Sequence, residues 1–199
     1  MKSFTSALTL AFTFTLTSCA HRSQPLVAAP TAQFGWKTLR AEHRVAIDVT
    51  LPDGTHDQRS LRGVIAVERP DRFRLRALGP GGITLFDLLS VGGRVKVIEA
   101  IKDPSKSSLG EIIQSMAGDL SAAFLLEPAP PERKVTVEKD AVIVSEATRT
   151  VRLSAFQLVH GQSLPARIVI DNSARHYSVT VTASSSELDS PLDPELFKE

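Results

Sequence analysis

From Arg72 to Ala77 the chain alternates without a break, with Arg72, Arg74 and Arg76 on one side and Phe73, Leu75 and Ala77 on the other. Successive strand side chains face opposite ways, so this is a strand with one charged and one apolar face. Gly79-Pro80-Gly81-Gly82 and Gly92-Gly93 reverse the chain on either side of the apolar run Ile83 to Val91, and Arg94-Val95-Lys96-Val97 resumes the alternation. Three antiparallel strands follow. Upstream, Val45, Ile47, Val49 and Leu51 alternate with Arg44, Ala46, Asp48 and Thr50. Pro52-Asp53-Gly54-Thr55 then turns into a returning strand through Leu61, Gly63, Ile65 and Val67. Downstream, the same period predicts strands over 134–138, 141–147, 150–159, 166–170 and 177–183.

Between the two strand-rich halves the period changes. Leu109, Ile112, Ile113, Met116, Leu120, Ala123 and Phe124 fall on one face of a helix. Ser108 and Glu111 have capping-box spacing, and Pro128 ends the segment. Gly118 costs this helix about 1 kcal/mol relative to Ala, which implies either a close neighbour there or a pliable helix. About ten strands with one solid helix make a mainly β, α+β fold: a large antiparallel sheet with helical cover. A sheet of that length curls. One helix does not fill the concave side tightly, so the expected form is an unclosed half-barrel over an apolar cavity, where ligands sit by default.

The first residues are of another kind. Lys2 gives one positive charge, and an apolar, Thr-rich run follows to Leu16. Its alternation imitates a strand, but a charge, a short apolar run and small residues before a break make a secretory signal peptide. The run is also shorter than the ~20 residues of a spanning helix. The break, Leu16-Thr17-Ser18-Cys19, resembles the lipobox of bacterial lipoproteins, which implies lipidation of Cys19, the only cysteine in the chain. A multiply acylated Cys is a firm anchor at ~0.8 kcal/mol per buried methylene. Residues 1–18 are thus read as signal and 19–33 as a Pro- and Ala-containing tether. It reaches ~45 Å at ~3.3 Å per residue. Residues 34–199 form one domain. By resemblance to enteric lipoproteins, Ala20 after the Cys favours the outer membrane, with the domain facing the periplasm.

Charge and chemistry narrow the function. The net charge of +1 implies no nucleic-acid partner. His21, His43, His56, His160 and His176 are scattered, and none has the spacing of a zinc pair. Gly79-Pro80-Gly81-Gly82 lacks the Lys-Ser/Thr of a phosphate loop, and Ser163 is in no nucleophile elbow. No catalytic residues, metal or cofactor are expected, and the protein is read as a non-enzyme. Arg69, Arg72, Arg74 and Arg76 form either a solvated outer face or a patch toward lipid phosphates. The apolar set Phe73, Leu75, Phe86, Leu88, Val97, Ile112, Met116, Leu120 and Phe124 is either plain core or the lining of an acyl cavity.

The order of lipobox, tether, two strands, Arg-Phe-Arg-Leu-Arg-Ala into Gly-Pro-Gly-Gly, an apolar strand, Val95-Lys96-Val97, a cap helix and Leu164-Pro165-Ala166-Arg167-Ile168-Val169-Ile170 resembles the LolB family of outer-membrane lipoprotein receptors, and more broadly the LolA/LolB superfamily. That resemblance implies an unclosed barrel with a helical lid, and non-covalent capture and membrane delivery of acylated lipoproteins or lipids. It implies a lipid-binding interior at Phe73, Leu75, Phe86, Leu88 and Val97, a lid at Ile112, Met116 and Leu120, and a membrane-insertion role for Leu78 at the third hairpin. The implied partners are acyl chains, the outer membrane and a periplasmic carrier protein, with the protein itself a monomer. The alternative is an accessory lipoprotein that uses the same fold to hold a protein partner.

Overall fold

The computed structural model describes residues 35–51, 53–100, 107–125 and 133–198. The signal segment, Cys19 and the tether lie outside them, as do the Pro128-Pro130-Pro131 loop and the side chains of the Ser108/Glu111 capping pair. Ten strands form one antiparallel sheet: β1 Thr38–Thr50, β2 His56–Glu68, β3 Arg72–Leu78, β4 Thr84–Val91, β5 Arg94–Ala100, β6 Lys134–Val137, β7 Ala141–Ser145, β8 Arg149–Val159, β9 Gln162–Asn172 and β10 Tyr177–Leu188. Their order across the sheet is β5-β4-β3-β2-β1-β10-β9-β8-β7-β6. Every neighbour is therefore a sequence neighbour except one pair, the first and last strands, which meet at the centre.

The edges β5 and β6 do not pair with each other, so the curled sheet stays unclosed. The chain passes from one edge to the other through helix α1, Ser107–Leu125, which packs against β3, β4 and β5. Its apolar residues Ile112, Ile113, Met116, Leu120 and Phe124 are all buried against the concave face. Phe124 stacks on Phe73 with ring centroids 5.6 Å apart, an offset geometry aromatic pairs favour. The inward residues Val45, Ile65, Phe73, Leu75, Ile168 and Val179 join the helix in one continuous apolar cluster.

The convex face is not simply solvated. Arg74 is only 12% exposed and binds Asp87 through Nε and Nη2 at 2.8 and 2.7 Å, and Arg76 reaches the same carboxylate at 3.0 Å. Burial pushes the Asp87 carboxyl up, but the two guanidiniums outweigh it and hold it below its ordinary value. Arg74 also donates to the carbonyl of Leu196 at 2.7 Å, which fastens a C-terminal 3-10 turn, Pro194–Phe197, across the outside of β3 and β4. Phe197, Leu192 and Leu196 there cover Ala66, Leu89 and Val91. This is why β4 is apolar on both faces. Arg74 therefore serves neither of the two roles open to the arginine row in the sequence; it is an internal fastener.

Gly118 settles its own question. A Cβ built there meets nothing within 4 Å, so no close neighbour requires the glycine. Gly118→Ala is expected to raise the stability of the chain by about 1 kcal/mol, read as a higher midpoint in thermal denaturation. An unchanged or lower midpoint would show that the helix gains nothing from stiffening.

Candidate functional site: the concave face beneath the helix

The concave face and α1 bring together the residues expected to bind lipid. Phe73, Leu75, Leu88, Ile112, Met116 and Leu120 are buried in the apolar cluster, and Phe86 and Val97 pack against it half-buried. Leu75, Phe86, Leu88, Met116 and Leu120 line a common void of about 20 Å³ under the first half of the helix. A second void, of about 30 Å³, lies by the last turn of α1, bounded by Ala123 and Phe124. Ligand pockets run to about 300–1,000 Å³, so neither space holds an acyl chain with the helix seated. In these two spaces, among the described residues, apolar side chains of α1 lie close against the sheet.

Beside this apolar packing, the charged ties of the helix are gathered at one rim. Asp119 accepts from Arg149 Nη1 at 2.7 Å, from Asn172 Nδ2 at 2.9 Å and from the Tyr177 hydroxyl at 2.5 Å. These partners stand at the start of β8, the end of β9 and the start of β10. Ser115, one helical turn before Asp119, lies 3.2 Å from the same hydroxyl. Burial and the neighbouring Asp119 carboxylate push the Tyr177 pKa up, so the hydroxyl keeps the proton it donates. Arg149 also donates to Glu146 at 2.7 Å, and Arg133 to the same oxygen at 2.8 Å. Burial works against the charge of Arg149, but Glu146 and Asp119 more than offset it. On the β5 side the tie is lighter, an exposed bond from Gln114 to the Val95 carbonyl at 2.9 Å.

The second void contains what the residue pattern did not single out. His43, at an inward position of β1, is 3% exposed, and Trp36 is 4% exposed. Both line the 30 Å³ space. His43 sits where small residues make room: it pairs across the sheet with Gly63 on one side and Ala183 on the other, beside a bulge at Glu42/His43. The signal was present in the sequence as a histidine at an inward place in the series Leu39, Ala41, His43, Val45, and as the run Ala183-Ser184-Ser185-Ser186 where alternation fails. Arg69 lies over the Trp36 ring at 3.8 Å, a cation–π contact that fixes the indole.

At the β3–β4 turn, Leu78 is half-buried at the end of β3, paired with Arg62 and Thr84. The exposed apolar side chain of that loop is Ile83, at 67%. Among the described residues no cluster of His, Cys, Asp or Glu could hold a metal, and no helix is long and apolar enough to cross a membrane.

No protein-family model matches the sequence, and neither does any curated protein. Among solved structures, three are similar to it at low identity. A LolA superfamily protein from Nitrosomonas europaea is 11% identical, with a TM-score of 0.46 over 84% of this chain and 92% of that one. An outer membrane lipoprotein-sorting protein domain from Vibrio parahaemolyticus is 12% identical, with a TM-score of 0.44 over 82% and 90%. A DUF1329 family protein from Desulfovibrio piger is 9% identical, with a TM-score of 0.40 over 82% and 90%.

Burial lowers the His43 pKa to about 4, against a smaller opposing contribution from the Ala41 carbonyl. The unfolded chain takes up this proton near pH 6.5 and the folded chain only near 4, so stability falls as pH drops between those values. The loss by pH 4 is about 3 kcal/mol. Carboxyls held below their ordinary range, such as Asp87 and Glu146, begin to add their own loss at the acid end of this window and continue below it. His43→Phe is expected to flatten the stability profile between pH 6.5 and 4 in urea titrations. A slope unchanged in that variant would place the titrating group elsewhere.

Proposed function

We propose that the protein is an outer-membrane-anchored, LolA/LolB-like lipoprotein that binds acyl chains of lipoproteins or lipids without catalysis, for transfer to or insertion into that membrane. The tail enters between the concave sheet and α1 when the helix moves aside. The observation that carries this reading is the cover itself. A single helix with an apolar underside lies on an unclosed sheet, with small unfilled spaces under its middle and its last turn and its charged ties at one rim. Moving the helix exposes an apolar surface that an alkyl chain re-covers, at ~25 cal/mol per Å² of apolar area kept from water. Lipidation of Cys19 supplies the anchor, and the exposed Ile83 beside the half-buried Leu78 offers an apolar contact to a bilayer.

One observation favours a second reading. With α1 seated, neither space found beneath it among the described residues is large enough for an acyl chain, which suits a protein that uses the fold only as a scaffold for a protein partner. Native mass spectrometry of a Cys19→Ser variant separates the two. Acyl binding predicts co-purifying lipid adducts, and a hydrophobic dye that added lipid displaces. Asp119→Ala, which removes the shared acceptor of Arg149, Asn172 and Tyr177, is expected to raise dye binding severalfold by loosening the rim. Absence of adducts and of displaceable dye in both chains, with a stable protein complex in pull-downs, would leave the scaffold reading standing.

A further inference from the structure

Two residues of the second void each carry a buried polar atom without a hydrogen-bond partner: Trp36 Nε1 and His43 Nε2. Both residues line the same space, whose remaining walls are mostly apolar, Leu39, Leu153, Leu164 and Phe124 among them, with Ser186 the one other polar side chain. A buried polar group left unpaired costs about 1–3 kcal/mol, and native interiors pair nearly all of them. The two atoms are complementary in kind. The indole N–H only donates. His43 Nδ1 faces the Ala41 carbonyl at 3.5 Å, which places the ring proton there and leaves Nε2 as an acceptor. Together they ask for one group that both accepts and donates.

We propose that this void receives the polar end of an acyl chain whose linking group is a secondary amide or a hydroxyl rather than an ester. The proposal rests on the acyl-binding reading above and names the class of ligand. The carbonyl or hydroxyl oxygen accepts from Trp36, and the N–H or O–H donates to His43. An ester carries no donor and leaves Nε2 unpaired. A carboxylate has the same defect and also brings a charge into an apolar wall. The alkyl tail then runs under the last turn of α1, in the place of Ala123 and Phe124. The space as it stands, about 30 Å³, fits a water molecule or two, and water is the one small occupant that satisfies the same two atoms. The ligand's linking group takes over those bonds.

The test uses the full chain carrying Cys19→Ser and two probes that differ only at one atom, N-methylpalmitamide and methyl palmitate. Binding is followed by emission of Trp36, the only tryptophan in the protein. The amide is expected to bind about tenfold more tightly than the ester, the worth of one buried hydrogen bond. In His43→Phe both probes still bind and the preference disappears; in Trp36→Phe, followed by native mass spectrometry, both weaken together, because both present a carbonyl. Equal affinities in the unsubstituted pocket, or a preference that survives His43→Phe, overturn the proposal while leaving acyl binding intact. Failure of both probes to bind removes the acyl-binding reading and this site with it. Should His43→Phe not fold, the comparison of the two probes in the unsubstituted pocket decides alone.

Discussion

An antiparallel sheet that does not close must hide its apolar concave face with something other than itself. In this protein that cover is α1, and the connectivity leaves no other candidate among the described elements, since the helix joins the two edge strands that fail to meet. The rest of the interior follows. Inward positions of eight or more strands are apolar because they face one another or the helix. The helix is apolar beneath because it alone completes that surface, and its charged side chain Asp119 sits at the rim, where Arg149, Asn172 and Tyr177 meet it.

Much of this was legible in the residues. Period-two alternation located the strands because each has one face in the core and one outside, and the switch to helical period located α1 between the two strand groups. The apolar set expected to bind lipid was legible as buried positions for the same reason: Phe73, Leu75 and Leu88 are inward strand positions, and Ile112, Met116 and Leu120 the buried stripe of the helix. What alternation does not encode is volume. The two spaces found beneath α1 are small because the helix brings side-chain bulk against the sheet, and no pattern of apolar and polar letters measures that. Strand pairing at the bulge of Glu42/His43 was equally hidden, and with it the place of His43.

The convex face shows how a pattern can be read correctly and its meaning missed. Arg72, Arg74 and Arg76 do point outward, but the outside of β3 and β4 is covered by the C-terminal turn, and long-range contact is invisible to local period. Arg74 and Asp87 are nearly enclosed, and such a pair holds only while both members are present, because the survivor of a broken pair keeps its charge without a partner. The fastening is specific in geometry: the guanidinium grips the carboxylate with two nitrogens and turns a third to the Leu196 carbonyl. One side chain thereby ties the β3–β4 hairpin to a turn 122 residues further along the chain.

The pairing of β1 with β10 governs assembly in time. Residues 39–49 register against 177–188, so the seam through the middle of the sheet is zipped only after almost all of the domain has emerged and is free to search. Contacts of such long sequence separation slow folding, because the intervening loop must lose its freedom before any bond along the seam repays it. Until then the first two strands carry one paired edge and one open edge. A polypeptide of this kind ripens from a pair of half-sheets into a single shell in one late step.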